Sequence, residues 1–333
     1  MPNPTHSDVH ISRPLTDLSV AHFSANAGKY VASRAFPSVA VQRQYDKYVV
    51  YDDGDLLRVQ ADRRAPGTKS PLGGYRLSTD NYSCDRWAIG RPIDDPTRAN
   101  ADPNFNLDAE AVEFITDQVE KAKDNQFLTD FFTTAVWSGC SNSSDMTGQS
   151  APSSTTSNFL QWNDVASTPI EDIRGEMIAV ESKNGYRPNK LVLGPRTYRH
   201  LQDHPDILDR IKNTNPGAPA TINQQLLAAL FELDEVLVLR AVKNTGPEGG
   251  TDSVDFMAGK SALLLYTAPN PGLRTVSAGY TFTWTGAGAP LTGARIKRYR
   301  DEPIESDMIE GETWTDSKQV VATLGGFFAT AVA

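Results

Sequence analysis

The sequence contains little of what a secreted, metal-binding or membrane-spanning protein needs. Cysteine occurs twice, at Cys84 and Cys140, without the spacing of a disulfide framework or a zinc site. No apolar run approaches the roughly 20 residues that cross a bilayer. The first residues, MPNPTHSDVH, lack the basic and apolar regions of a signal peptide. These absences predict a soluble, cytosolic chain.

Basic charge is scarce as well. The chain has 32 Lys and Arg against 41 Asp and Glu, a formal net charge of −9. A free-standing nucleic-acid binder needs a basic surface to neutralise phosphates, and no basic tail supplies one. An acidic surface instead favours solubility and avoids anionic membranes. The 333 residues, 39% of them hydrophobic, can form a core in one large domain or in two to three small ones.

Enzyme motifs are incomplete. Residues 258–261 read AGKS, the end of a phosphate-binding loop, but Val254 stands where that motif needs glycine, and a strand-like run follows. His200 and His204 have the helical spacing of a zinc site, yet Leu201 replaces the expected glutamate. We interpret both as surface histidines. We therefore predict no catalytic residue, no metal ligand and no cofactor-binding residue.

The first 92 residues predict parts that cannot bury themselves. Residues 1 to about 40 are polar and weakly periodic, so we expect them to be ordered by docking on a neighbouring chain. Apolar runs on both sides of Asp53-Gly54 indicate a hairpin. The following DRRAPGTKSPLGGYRLS is too polar for a core. Residues 44–92 are thus predicted to be long strands with an extended, exposed loop.

A long helix is predicted over residues 108–136. Val112, Ile115 and Val119 recur at helical spacing, and Asp108 lies in the first turn, where a carboxylate favours the helix dipole. We expect it to loosen near residues 124–125. The Ser- and Thr-rich residues 138–158 that follow predict a loop.

Residues 168–275 predict a mixed α/β unit. Thr168-Pro169 begins a helix that ends at Asn184-Gly185, and buried strands and helices alternate after it. One hypothesis is a soluble α/β enzyme using residues 168–275, with a pocket near Gly194. From Gly279 onward the pattern returns to strands.

The order of these parts, together with their local wording, resembles the tailed-phage major capsid proteins of the Hong Kong 97 type. The residues that carry the resemblance are RAPGTKSPLGGYRLSTDNYSCDRWAIGRPIDDPTRANAD, then LDAEAVEFIT, and GGFFATAV near the C-terminus. It covers nearly the whole chain, through the cumulative order rather than one diagnostic motif.

The resemblance implies an α+β capsid fold and a structural protein without catalysis. The implied parts are an N-terminal arm (1–43) across a neighbouring subunit, an extended β-loop (44–92), a peripheral domain (93–167) with spine helix 108–136, an α/β axial domain (168–280) and a C-terminal β return to the peripheral domain (281–333). Copies would form the pentamers and hexamers of an icosahedral head around double-stranded DNA. Residues 189–211 would then be a packing unit of the axial domain rather than a crevice.

Further partners follow from the same resemblance. Some relatives carry a scaffolding extension ahead of the arm, so this chain implies a separate scaffold protein or a cleavage already made. A portal, decoration proteins and weak, non-specific contact with packaged DNA are expected, in a virion capsid assembled in the bacterial host cytoplasm. Some relatives crosslink a loop lysine to an asparagine. Lys69 is the only lysine near the loop tip, but no partner is identifiable, so we assign no crosslink.

Charge suggests which residues join copies. Arg63, Arg64 and Lys69 lie at the loop tip, and we predict that they contact Glu302 and Glu305 of a neighbour. The basic residues Arg295 to Arg300, followed by acidic residues, either sort partners in this way or form an ordinary exposed strand with neutralising neighbours. An encapsulin-type compartment, which shares the fold, is a further alternative.

Overall fold

A computed structural model of the chain describes residues 13–333 except 26–27, 52–53, 55–56, 71, 102–105, 153–154, 156, 215–221, 273–274 and 287. The helices are α1 (Arg13–Ala25), α2 (Ala32–Ala35), α3 (Asp95–Asn100), α4 (Leu107–Phe131), α5 (Pro169–Asn184), α6 (Pro195–Asp203), α7 (Pro205–Thr214) and α8 (Gln224–Phe231). The strands are β1 (Ser38–Val41), β2 (Tyr45–Tyr51), β3 (Leu77–Ser83), β4 (Asp85–Asp94), β5 (Met146–Gln149), β6 (Asn158–Leu160), β7 (Lys190–Leu193), β8 (Glu235–Val238), β9 (Val242–Asn244), β10 (Val254–Phe256), β11 (Ala262–Leu265), β12 (Gly279–Trp284), β13 (Arg295–Asp301), β14 (Ser306–Gln319) and β15 (Gly325–Ala329).

Two sheets organise the chain. The first has the order β1-β12-β14-β13, and β4 also pairs with the long strand β14. The second has the order β6-β5-β15-β11-β7-β8. Two antiparallel ribbons, β2–β3 and β9–β10, stand apart from both sheets.

Helix α4 confirms the predicted long helix, although it ends at Phe131 rather than at residue 136. Asn106 caps its start by accepting a hydrogen bond from the Ala109 amide at 3.1 Å. Val112 and Ile115 are fully buried against β14 and β13. The predicted loosening near residue 124 is wrong, because the helix continues through that turn. At ~1.5 Å per residue the helix is about 37 Å long.

The predicted α/β alternation is confirmed between residues 169 and 265. The parallel strands β7 and β8 are joined through α6, α7 and α8, and β11 pairs antiparallel to β7. Helix α5 ends at Gly185, which has the left-handed φ of +74° that suits glycine. The helix is interrupted at His204-Pro205, between α6 and α7, as the sequence indicates.

The last strand is not where we predicted it. We expected residues 325–329 to complete the sheet of β12 to β14, but β15 lies in the middle of the other sheet, between β11 and β5. All five residues are buried, with Phe327 and Phe328 packing into different core clusters. A strand that is apolar on both faces needs a sheet covered on both sides. Strands β5 and β6 of this sheet arise from a region predicted to be loop.

The predicted hairpin has a different second strand. β2 pairs with β3 in the register Tyr45↔Ser83, so more than 20 residues separate the two strands. Of the Asp53-Gly54 turn itself, Asp53 lies outside the described residues. No strand forms over residues 57–70, where the Val59 side chain is 90% exposed. The alternation of apolar residues predicted a strand here, but these residues do not pack against another element.

The described part of the N-terminal arm packs on its own chain. Helix α1 lies against α4 and β13, and β1 runs parallel to β12. Tyr30, Val31 and Phe36 are each at most 1% exposed. That the arm also lies across a neighbouring subunit stays a prediction, and residues 1–12 are outside the described residues. Within its own chain the arm is anchored by Phe36, which packs against Phe127, Phe131 and Trp137.

Candidate intersubunit surfaces

The turn at Gly194 is closed by its own chain. The Gly194 amide donates to the Ser261 carbonyl at 3.1 Å, and its carbonyl accepts from the Tyr198 amide at 2.9 Å. A Cβ atom at this position would lie 2.1 Å from the Gly259 carbonyl oxygen. The segment resembling a phosphate-binding loop leads into β11 rather than a helix. This turn therefore has the geometry of a packing unit and leaves no crevice against residues 259–261.

His204 is buried, which corrects its prediction as a surface residue. Its Nδ1 accepts from the Asp206 amide at 3.2 Å, so its Nε2 carries the proton. That Nε2 lies 3.0 Å from Ser167 Oγ and 3.1 Å from the Asp164 carbonyl. An imidazole in this state donates and cannot take a proton from the serine. The pair holds the start of α7 in place instead of forming a nucleophile and its base.

The described residues contain neither a cluster of three or more His, Cys, Asp or Glu able to hold a metal ion nor a helix that is long and apolar enough to cross a membrane. His200 is exposed, and the described contacts do not bring it together with His204 as a ligand pair.

The loop between β2 and β3 spans residues 52–76. Residues 57–76 of it carry five basic residues against one acidic residue, Asp62, while Asp52, Asp53 and Asp55 stand at its start in the sequence. Arg63, Arg64 and Lys69 are exposed. The Arg64 guanidinium donates within the loop, to the Thr68 carbonyl and, at 3.1 Å, to Ser70 Oγ. Arg63 and Lys69 make no ion pair with any described residue, so their charges are available to another molecule.

Glu302 and Glu305 lie in the turn between β13 and β14. Glu302 is 80% exposed at its side chain and only 3.7 Å from Arg300 Nε. Glu305 is exposed and has a φ of +46°. Within the described chain neither carboxylate contacts Arg63, Arg64 or Lys69. The predicted contact residues thus form two separate exposed patches of opposite charge, which a contact between copies could join.

The other charges near this turn neutralise one another. Arg298 pairs with Asp307 at 2.8 Å, and Arg300 makes a bidentate pair with Asp95 at 2.6 Å. The hydrogen bond from Arg298 holds the pKa of Asp307 below its usual range. Of the two interpretations of this charge block, the strand with neutralising neighbours fits the structure.

One member of that block is buried, which the sequence did not indicate. Arg295 is 1% exposed and Glu312, its partner on β14, is fully buried. Lys297 also pairs with Glu312, and Arg86 Nη2 lies 2.6 Å from it. The Arg295 guanidinium lies 4.7 Å from the centroid of the Trp314 ring. Burial, with the nearby Arg86 charge, lowers the pKa of Arg295 to about 10.

Apolar side chains are exposed at several places on the described chain, including Leu57, Val59 and Leu72 of the loop itself. The β9–β10 ribbon shows Val242, Val254 and Phe256, between 40% and 63% exposed. A groove of about 530 Å³ lies between the base of the loop hairpin and β1, with Tyr48, Tyr82 and Val320 among its lining residues. The sequence analysis predicted neither the ribbon surface nor the groove, because the strands that form them are too short to show a period.

Known proteins resemble this chain in sequence over most of its length. No protein-family model matches the chain. The major capsid protein of Burkholderia phage BcepMu is 22% identical over 295 residues, which is 88% of this chain and 89% of that protein. The major capsid protein of Pseudomonas phage JBD67 is 25% identical over 276 residues, 83% of this chain and 82% of that protein.

Solved structures share the fold at low identity. A phage-related protein from Bordetella bronchiseptica has a TM-score of 0.73 at 19% identity, covering 97% of this chain and 98% of its own. The capsid of Cyanophage P-SCSP1u has a TM-score of 0.55 at 10% identity, covering 90% and 88%. An encapsulin from Synechococcus elongatus has a TM-score of 0.50 at 10% identity, covering 100% and 94%.

The two sheets, the long helix and the extended loop are thus those of the Hong Kong 97-type capsid fold. The resemblance found in the sequence is confirmed: the curated relatives are phage major capsid proteins and the solved neighbours share the fold, which together support a capsid-forming protein.

Proposed function

We propose that copies of this chain assemble into pentamers and hexamers that form the icosahedral head of a tailed phage around its double-stranded DNA. The observation that carries the proposal is the exposed loop tip, where Arg63 and Lys69 make no ion pair with any described residue, while the acidic turn with Glu302 and Glu305 is exposed elsewhere. Such a pair of patches fits a repeated head-to-tail contact, which closes into rings. The role is structural, without catalysis, and the location is the virion capsid, assembled in the host cytoplasm.

The parts of the chain take their roles from this proposal. Residues 44–92 are the extended loop, α4 is the spine of the peripheral domain, and the unit between α5 and β12 is the axial domain. Because β5, β6 and β15 pair with β11 and its neighbours, we assign them to the axial sheet as well. A separate scaffold protein, a portal and decoration proteins are proposed as partners, and packaged DNA as a weak, non-specific one.

We further propose that Arg63, Arg64 and Lys69 of one copy lie against Glu302 and Glu305 of a neighbour. Both patches are exposed, so each pair is worth little alone, ~0–1 kcal/mol. Repetition around every ring and throughout the shell multiplies this small contribution. Electrostatic complementarity of this kind mainly fixes partner choice and register.

The test is charge reversal at the loop tip. We expect Arg63→Glu with Arg64→Glu to abolish regular shells, seen by negative-stain electron microscopy and sedimentation, while circular dichroism and the melting temperature stay unchanged. Arg43→Glu with Arg240→Glu, exposed positions outside the tip, is the control because it changes the net charge equally. Adding Glu302→Arg and Glu305→Arg to the loop variant should restore shells. Normal shells from the loop variant alone would contradict the proposed contact.

The encapsulin-type compartment is the second candidate, and the shared fold supports it. The curated sequence relatives favour the phage head. Particles that package a protein cargo rather than DNA, when isolated from the native source, would favour the compartment. A chain that stays monomeric even when its scaffold protein is supplied would contradict both candidates.

A further inference from the structure

Residues 28–36 cross the long helix at the place where the two sheets meet. Phe36 packs edge-on against Phe127 and Phe131 of α4. Arg34 pairs with Glu235 of β8, and its carbonyl accepts from Lys190 Nζ of β7. Directly after Phe36 the chain enters β1 of the other sheet. We call residues 28–36 the strap, since they tie α4 to both sheets.

Carboxylates on one face of α4 hold the strap. Asp124 is fully buried, and its Oδ1 accepts from the Ala32 amide at 2.8 Å and the Val31 amide at 3.1 Å. Asp117, two turns earlier, accepts from the Tyr30 hydroxyl at 2.8 Å and lies 3.4 Å from Lys29 Nζ. His22 of α1 contacts the same Asp117 at 3.2 Å.

Among the described residues, no cation forms an ion pair with Asp124, although Lys123 is near it. The titratable groups that face it are Glu120 and Lys123 of its own helix and Tyr30 of the strap. Glu120 is 1% exposed and pairs with Lys123 at 2.7 Å, so that cation is shared with a second buried carboxylate. A charged Asp124 is therefore costly while the strap covers it, and inexpensive once the strap leaves and water enters.

We propose that the strap is a proton-dependent clasp that holds α4 to both sheets at mildly acidic pH and loosens as the pH rises past neutral. Protonated Asp124 still accepts hydrogen bonds from the strap amides without the cost of a buried charge.

The direction of the pH dependence of strap docking follows from the pKa of Asp124 in the docked and released states. Burial raises its pKa to about 7 with the strap in place, although the amides of Ala32 and Val31 oppose this. With the strap released, the ordinary value is ~4. The docked state is thus fully favoured below pH ~4, and this advantage is lost as the pH rises through about 7. The ratio of docked to released strap should fall about 80-fold between pH 5 and pH 8, and little beyond.

Asp117 sets the acid limit. Burial raises the pKa of this carboxyl, but hydrogen bonds from Tyr30 and His22 outweigh burial and hold its pKa below the usual range. Its contribution is therefore present above pH ~4 and is lost only in stronger acid. The strap should hold best near pH ~4.

Hydrogen exchange of the Val31 and Ala32 amides tests the clasp, because these two groups donate directly to Asp124. We expect their protection, corrected for the intrinsic exchange rate, to fall about 80-fold between pH 5 and pH 8 in the full chain. The buried amides of residues 191–193 report global unfolding for comparison. Sedimentation at each pH checks that the assembly state is the same throughout.

Two variants separate the clasp from general stability. Asp124→Asn can still accept both amides but cannot titrate, so the pH dependence at Val31 and Ala32 should disappear. Asp172→Asn, at a half-buried aspartate whose pKa is raised to about 6, should leave it intact. Wild-type protection that stays constant with pH, or an Asp124→Asn variant that keeps the wild-type dependence, would overturn the clasp. This readout does not depend on shell formation, so it can fail independently of the proposed function.

Discussion

At the scale of single residues, the buried ion pairs around Glu312 in the first sheet are sensitive to substitution. Glu312 forms ion pairs with Arg295, Lys297 and Arg86, and it is fully buried. A buried ion pair contributes little net stability, but removal of one partner leaves an uncompensated charge. Arg295 is nearly as buried as Glu312, so it has no access to water as a replacement partner.

We predict that Glu312→Gln lowers the free energy of unfolding by about 3–5 kcal/mol. Glu305→Gln, the same change at an exposed glutamate, should alter it by less than about 0.5 kcal/mol. Urea unfolding followed by tryptophan fluorescence measures both. The double change Glu312→Met with Arg295→Met should recover most of the loss, since it removes both charges together. Equal stability of the two single variants would show that the group is accessible to water.

The same group marks the limit of sequence analysis for single residues. Arg295 belongs to a run of basic residues that predicts an exposed strand, and Arg298 and Arg300 do lie there with neighbouring carboxylates. Arg295 differs because its strand position pairs with Glu312 and faces Trp314. Asp124 and His204 are further examples, since a polar residue on a helix face indicates burial only once its partner is known.

At the scale of elements, the turn between β7 and α6 depends on close contact between backbones. Gly194 lies where a Cβ would overlap the Gly259 carbonyl. The overlap is with main chain, so a flexible side chain cannot move aside to relieve it. The two segments that meet here are neighbours in the second sheet, and a shift would be felt along β7 and β11.

We predict that Gly194→Ala lowers the free energy of unfolding by about 1–3 kcal/mol, as overpacking does in other cores. Gly175→Ala is the matched control, because nothing lies within 4 Å of a Cβ added there. Gly175 is an exposed residue inside α5, where alanine stabilises by about 0.5–1 kcal/mol. Thermal unfolding should therefore shift in opposite directions for the two variants. A neutral Gly194→Ala would mean that the turn opens easily and would reopen the pocket hypothesis.

Elements differ in how far their sequence predicts them. Helix α4 and strands β7 and β11 carry strong, uninterrupted patterns, and the structure confirms them. Strand β15 was recognised as a strand but assigned to the wrong sheet. Its pattern reports that both faces are buried, yet does not say which strands flank it. In the N-terminal segment, a polar pattern likewise hides the few apolar residues that pack it on its own chain.

At the scale of the whole molecule, copies could join through charged surfaces or through apolar surfaces, and salt distinguishes the two. The basic loop and the acidic turn are exposed, whereas the β9–β10 ribbon and the groove beside β1 are apolar. Salt screens charges at the surface, with a Debye length that falls from about 10 Å at 0.1 M to about 3 Å at 1 M. Apolar contacts are not weakened in this way.

We predict that the fraction of chain found in shells falls when sodium chloride rises from 0.1 M to 1 M during assembly. Sedimentation measures the fraction, and the melting temperature of the isolated subunit serves as the control for its fold. An unchanged or larger fraction at high salt would show that the apolar surfaces dominate, and the loop contact would then be secondary.

The sequence by itself determined the overall class of this protein. Its order of arm, loop, long helix, α/β unit and β return, and its lack of complete catalytic motifs, follow from patterns within short segments. The tertiary structure decided which segments meet. It placed β15 beside β11, laid the strap on Asp124, buried Arg295 and closed the turn at Gly194. Local periodicity measures how many faces of an element are covered, but the identity of the covering element depends on contacts between residues far apart in the chain.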